Sequence, residues 1–228
     1  MSSPALERLE SLLHARKLTH TLGSALARQR PVVSTGIPVL DARLGGGWPC
    51  GEVSELLGRQ SSGRTSVLLS TLAAASRRGG LVGLVDAFDR FDPWSAARAG
   101  LDLDRLLWVR GTPATSLPRR SAGGAEAGTI VNAIRALDLI VRAGGFALVA
   151  LDVADAPPRA MRTVPFTTWL RIAHANEGRD TACVLVADAP IGRSARGRSL
   201  QLDTQRIWIG ARAQRRRFAG FRPKAAGV

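Results

Sequence analysis

Residues Val53 to Thr71 read VSELLGRQSSGRTSVLLST. A short apolar run, Val53 to Leu57, leads into Gly58; four residues later come Gly63, Arg64 and Thr65, and then a helical pattern. This is the phosphate-cradling frame Gly-x-x-x-x-Gly-Lys-Ser/Thr, with arginine in the place of lysine. In such a frame the glycines let successive backbone N–H groups turn toward phosphate oxygens, and the following helix adds the positive end of its dipole. Gly58, Ser61, Ser62, Gly63, Arg64, Thr65 and Ser66 are therefore the candidate phosphate-binding residues, and Thr65 carries the hydroxyl expected on magnesium. The arginine is not a conservative change, because lysine is a compact point charge and arginine a longer planar fork.

Outward from this loop, apolar runs alternate with helical patterns. Further strands are expected over Leu81–Val85 ending at Asp86, Leu106–Val109, Phe146–Leu151 ending at Asp152, Ala182–Ala187, and Arg206–Ile209. Helices are expected around Ile37, Leu40 and Leu44, from the loop to about Arg77, from Asp92-Pro93 to about Ala99, over Thr129–Arg142, and over Pro165–Ala175. Gly111–Gly128 and residues 188–199 read as loops. Apolar strands alternating with helices predict an α/β fold whose central sheet is mostly parallel and flanked by helices on both faces. Ligands of such sheets lie outside the carboxyl ends of the strands. Residues 58–65, Asp86, Asp152 and Asp188 all fall there. Asp152 is the second candidate magnesium ligand; its plainer role is to cap the turn after its strand.

The 228 residues divide into an N-terminal helical arm (1–30) with Leu6, Leu9, Leu12 and Leu13 on one side, a core (31–210), and a basic C-terminal tail (211–228). Net charge is +14, and residues 187–228 carry ten arginines and lysines against Asp188 and Asp203. A basic end on a near-neutral core points to nucleic acid or an acidic protein surface, with a solubilising tail as the plain alternative. No apolar run reaches membrane-span length and no leader pattern opens the chain, so a cytoplasmic protein is expected. Cys50 and Cys183 read as reduced structural thiols, and His14, His20 and His174 share no metal-ligand spacing. The tryptophans read as packing anchors; Trp208, beside the basic tail, is also placed to stack on a base.

Two stretches carry a family resemblance: STGIPVLDARLGGGWPCGEVSELLGRQSSGRTS, and then VDAFDRFDPWSAARAGLDLDRLLWV. In order and spacing they resemble the front half of the RecA recombinase core over about residues 33–110, and more weakly to about 210. The resemblance implies a RecA-like P-loop core, ATP and magnesium as cofactors, and Asp92 near adenine. It also places Arg159 and Arg162 near the family's first DNA-binding loop, and Arg193, Arg196 and Arg198 in the second, where they would contact single-stranded DNA through phosphates.

Three positions depart from the family pattern. Arg64 replaces the lysine. Phe88 stands where the family has the glutamate that activates water, and a phenyl ring cannot accept a proton. Asp188 stands where the family has a glutamine that senses the γ-phosphate, and a carboxylate there repels phosphate unless an ion intervenes. Together they argue for a retained fold without efficient hydrolysis, with nucleotide binding weakened or lost. In size and degeneracy the chain resembles ImuA-type proteins. That resemblance implies an accessory role in translesion synthesis during the SOS response to DNA damage, beside an ImuB-like partner and an error-prone polymerase, with RecA and single-stranded DNA as further partners. The alternatives are an active ATP-dependent single-strand-binding repair protein and an SOS regulator of the division-inhibitor type.

Overall fold

The computed structural model describes residues 31–113, 122–154, 156–209 and 217–226. The expected arm over 1–30, residues 114–121 of the 111–128 loop, the Trp208 side chain and residues 211–216 and 227–228 of the tail lie outside the described residues or side chains.

A two-stranded antiparallel ribbon of β1 (Val32–Val33) and β2 (Trp48–Pro49) flanks helix α1 (Pro38–Arg43). The main sheet has seven strands. They are β3 (Val53–Gly58), β4 (Leu81–Asp86), β5 (Leu106–Arg110), β6 (Phe146–Asp152), β7 (Ala182–Ala187), β8 (Ser199–Ile209) and β9 (Arg217–Ala226), in the order β5-β4-β6-β7-β3-β8-β9. All neighbours pair in parallel except β8 and β9, which form an antiparallel hairpin. The central strands β3 and β7 are buried along their full length. A continuous apolar run is what a strand covered on both faces requires.

Helices α2 (Arg64–Arg77) and α4 (Ala122–Ala143) carry the two faces. On one side Leu68 and Leu72 of α2 pack with Leu56, Leu84 and Leu148. On the other, Ile130, Ile134, Leu137 and Val141 of α4 pack with Val85, Val149 and Leu185. The short helices α3 (Pro93–Arg98) and α5 (Pro158–Met161), and the longer α6 (Phe166–Asn176), complete the layers. Asp92 caps α3, its carboxylate accepting from the Trp94 and Ser95 N–H groups at 3.1 and 3.2 Å.

Two expectations need correction. Helix α4 starts at Ala122, seven residues before Thr129. Ala122, Ala125, Glu126 and Ala127 favour the helix enough to carry it across Gly123, Gly124 and Gly128. The last strand spans Ser199–Ile209 instead of Arg206–Ile209, and Arg217–Ala226, read as tail, is the edge strand β9 paired with it from Gln201↔Ala226 to Ile209↔Arg217. Polar and basic strands of this kind lack the apolar run by which the other strands announce themselves.

Candidate functional site

The carboxyl ends of β3, β4, β6 and β7 converge on the loop after β3. Gly58 ends β3 beside Ser62, which is folded beneath it; a Cβ at 58 would collide with the Ser62 side chain and come within 3.1 Å of the Leu202 carbonyl. Ser61 takes φ 63° and Gly63 φ 91°, the left-handed turns that swing the chain into α2. The Ser62 hydroxyl is buried and has no hydrogen-bond partner. No side chain caps α2, a helix of 14 residues, so the first N–H groups, from Arg64 to Ser66, lack intrahelical partners. Thr65 and Ser66 are exposed. The backbone therefore fits a phosphate as a helix N-terminus does.

The cation of the loop is engaged elsewhere. The Arg64 side chain is 7% exposed, and its Nη1 donates both to the Gly58 carbonyl and to Asp188 Oδ1. The register explains the meeting: β3 and β7 pair up to Leu57↔Ala187, so position 188 follows one step beyond, alongside Gly58. Two of the three departures are thus partners. The ion that answers the Asp188 carboxylate is the loop's own arginine. An arginine reaches back beneath the loop because its fork is long and planar.

A cleft of about 190 Å³ opens beside the loop, lined by Arg64, Thr65, Asp86, Asp92 and Asp152 among others. This gathers the predicted magnesium and adenine residues in one place. Asp86 is 2% exposed and accepts from the Phe91 N–H at 2.8 Å. Asp152 Oδ1 accepts from the Ala154 N–H at 2.9 Å, so it serves the turn after β6. Among the described residues no cluster of three or more His, Cys, Asp or Glu is placed to hold a metal. Magnesium bound to a nucleotide needs less, since it takes one or two protein oxygens beside phosphates and waters, and Thr65 with Asp152 fits that donor set. The Asp92 carboxyl is held below the usual carboxylate range, first by the Ser95 hydroxyl and then by the backbone N–H groups it caps.

Phe88 is 5% exposed and belongs to the core with Ile130, Ala133 and Trp169. The segment after β4 turns instead of staying extended, as Asp89 takes φ 55°. Its carboxylate accepts two bonds from Arg110, both at 2.8 Å, and they hold it below the usual carboxylate range. Arg110 in turn lies over the Trp108 ring at 4.7 Å.

The second candidate DNA loop is anchored rather than loose. Ile191 and Gly192 N–H groups donate to Glu55 Oε1 at 2.7 and 2.8 Å, and the Ser199 hydroxyl donates to Oε2 at 2.9 Å. The Ser194 hydroxyl donates to Glu52 Oε2 at 2.7 Å, and the Arg198 N–H donates to Ser54 Oγ at 3.1 Å. Gly197 lies against the Val53 carbonyl, where a Cβ has no room. Arg193, Arg196 and Arg198 are exposed, with Arg193 Nη1 closing onto the Gly197 carbonyl at 2.6 Å. Arg159 stands 3.8 Å from Glu126. Between this loop and α5–α6 lies an apolar cleft of about 390 Å³, walled by Met161, Phe166, Trp169 and Ile191, with Arg162 and Asp188 on it. Neither the Glu52–Glu55 anchor nor this cleft was foreseen. The one signal for the anchor is a pair of carboxylates inside and beside the apolar run VSELL.

The family of the RecA N-terminal domain matches residues 3–160. The chain is 36% identical over 140 residues to Protein RecA of Nostoc punctiforme, and 37% to those of Prochlorococcus marinus and Synechococcus sp. WH7803 over the same length. These alignments cover 61% of the chain and 32–34% of the relatives, so the chain spans about a third of the length of the curated relatives it matches.

Proposed function

The chain belongs to the RecA N-terminal domain family, and from that premise we propose that it is a RecA-like accessory protein of damage-induced translesion DNA synthesis, of the ImuA type. It acts as a hydrolysis-deficient scaffold for polymerase partners, an ImuB-like protein and an error-prone polymerase, and it contacts single-stranded DNA. The observation that carries the hydrolysis deficiency is Phe88, packed into the core at the place of a water-activating carboxylate. Asp86 is committed to the Phe91 N–H and Asp89 to Arg110. Without a base to orient and deprotonate water, a rate factor of about 10²–10⁴ is missing.

The scaffold role is supported by the apolar cleft beside the anchored loop, with Phe166 62% and Leu170 44% exposed at α6. Exposed apolar surface next to a concave site marks an interaction surface. Arg162 lies on this cleft, and the exposed Arg159, Arg193, Arg196 and Arg198 belong to α5 and the β7–β8 loop, which supports contact with phosphates. Where nucleotide binds, residues 58–66 hold its phosphates and Asp92 its base; Thr65 and Asp152 hold magnesium, which would supply charge neutralisation there.

Turnover and co-purification test this reading together. The expected result is no ATP turnover above background, with or without single-stranded DNA, and a stable complex with the Y-family-like partner at micromolar protein. A purified chain that hydrolyses ATP in response to DNA, or that fails to bind either polymerase partner, would sink it.

A further inference from the structure

Two of the positions at which this chain departs from the phosphate-loop pattern touch each other, and that contact has a chemical meaning. The Arg64 guanidinium lies beneath the loop, buried, between the Gly58 carbonyl and the Asp188 carboxylate. The Asp188 side chain is 44% exposed, so it borders solvent where Arg64 does not. An anion arriving at the loop therefore meets a cation already balanced by a carboxylate. The remaining attraction comes from the uncapped N–H groups of α2 and from the Thr65 hydroxyl.

We propose that Asp188 is an internal anion that competes with phosphate for Arg64, and that position 188 thereby sets the loop's affinity for polyphosphates. The guanidinium charge is balanced by the position of the carboxylate beside it. A phosphate oxygen replaces the carboxylate on the guanidinium by simple exchange of hydrogen-bond partners, and no bond within the ligand is broken. The half-exposed carboxylate is the member that borders solvent, while Arg64 is held from behind by the Gly58 carbonyl. The register of β3 and β7 keeps the two positions adjacent and makes the competition a built-in property of the sheet. This inference rests on reading residues 58–66 as a phosphate cradle, and it is independent of the role in translesion synthesis.

Titration with inorganic triphosphate and with a fluorescent ATP analogue, each with magnesium, tests it. Asp188→Asn keeps the shape and one acceptor while removing the charge. It is expected to tighten both ligands by about tenfold or more, and the gain is expected to vanish in Arg64→Ala/Asp188→Asn. Asp104→Asn, an exposed carboxylate on the turn before β5, controls for the change in net charge and is expected to do nothing. Melting curves and circular dichroism establish that each variant is folded. If the wild type binds triphosphate and folded Asp188→Asn binds no tighter, the competition is refuted and the cradle stands. If neither binds at millimolar triphosphate, the cradle and the competition fail together.

Discussion

At the scale of single residues, Phe88 carries the proposed loss of hydrolysis. Its ring is buried in the cluster that also holds Ile130, Ala133 and Trp169, so a carboxylate there enters a dry environment. Phe88→Glu is expected to destabilise the fold by about 3–5 kcal/mol without creating turnover, as urea unfolding and an ATPase assay would show. The two thiols are similarly buried. Burial pushes Cys183 up to about 12, and burial, with a smaller push from the Asp180 charge, lifts Cys50 to about 11. Neither is expected to react with a thiol reagent at pH 8 until the protein is unfolded. Asp89 supplies a pH signature. Its folded pKa is depressed by Arg110, so its contribution to stability is full above the unfolded value near pH ~3.9 and is lost as pH falls through the lower folded one. The gap in urea midpoint between wild type and Asp89→Asn is expected to hold above about pH 5 and to close below about pH 4. The three departures were legible residue by residue in the sequence. The pairing of Arg64 with Asp188 was not, because 124 positions separate them and only the β3–β7 register brings them together.

Among the elements, strands β3 to β7 and their aspartates were readable because continuous apolar runs suit a doubly covered sheet. Helix α4 was readable over its buried face, where Ile130, Ile134, Leu137 and Val141 recur at helical spacing, and not over its glycine-containing first turns. The stretch between β7 and β8 reads in the sequence as a loop, and its backbone is tied to β3 by Glu55, Ser54 and Glu52. Such ties run between residues about 140 positions apart and leave no local pattern. Glu55→Ala strands the Ile191 and Gly192 N–H groups and empties a buried position. It is expected to cost about 3–5 kcal/mol and to speed amide exchange through residues 189–198, with little change in β4–β6.

Over the whole molecule, a RecA-type sheet presents two surfaces from one end: a phosphate loop whose cation is internally balanced, and an apolar cleft with Arg162 on it. Charge on that end is expected to govern any contact with single-stranded DNA. Removing three phosphate contacts with Arg193→Ala, Arg196→Ala and Arg198→Ala together should lower the slope of log affinity against log salt by about 2. An unchanged slope would remove the loop from the DNA-contact account. On the proposed reading this fold is retained without its chemistry. ATP turnover by the purified protein, measured with and without single-stranded DNA, reaches it most directly. No turnover above background is expected under either condition. Turnover that rises with DNA and disappears in Arg64→Ala would contradict it and make the chain a working ATPase.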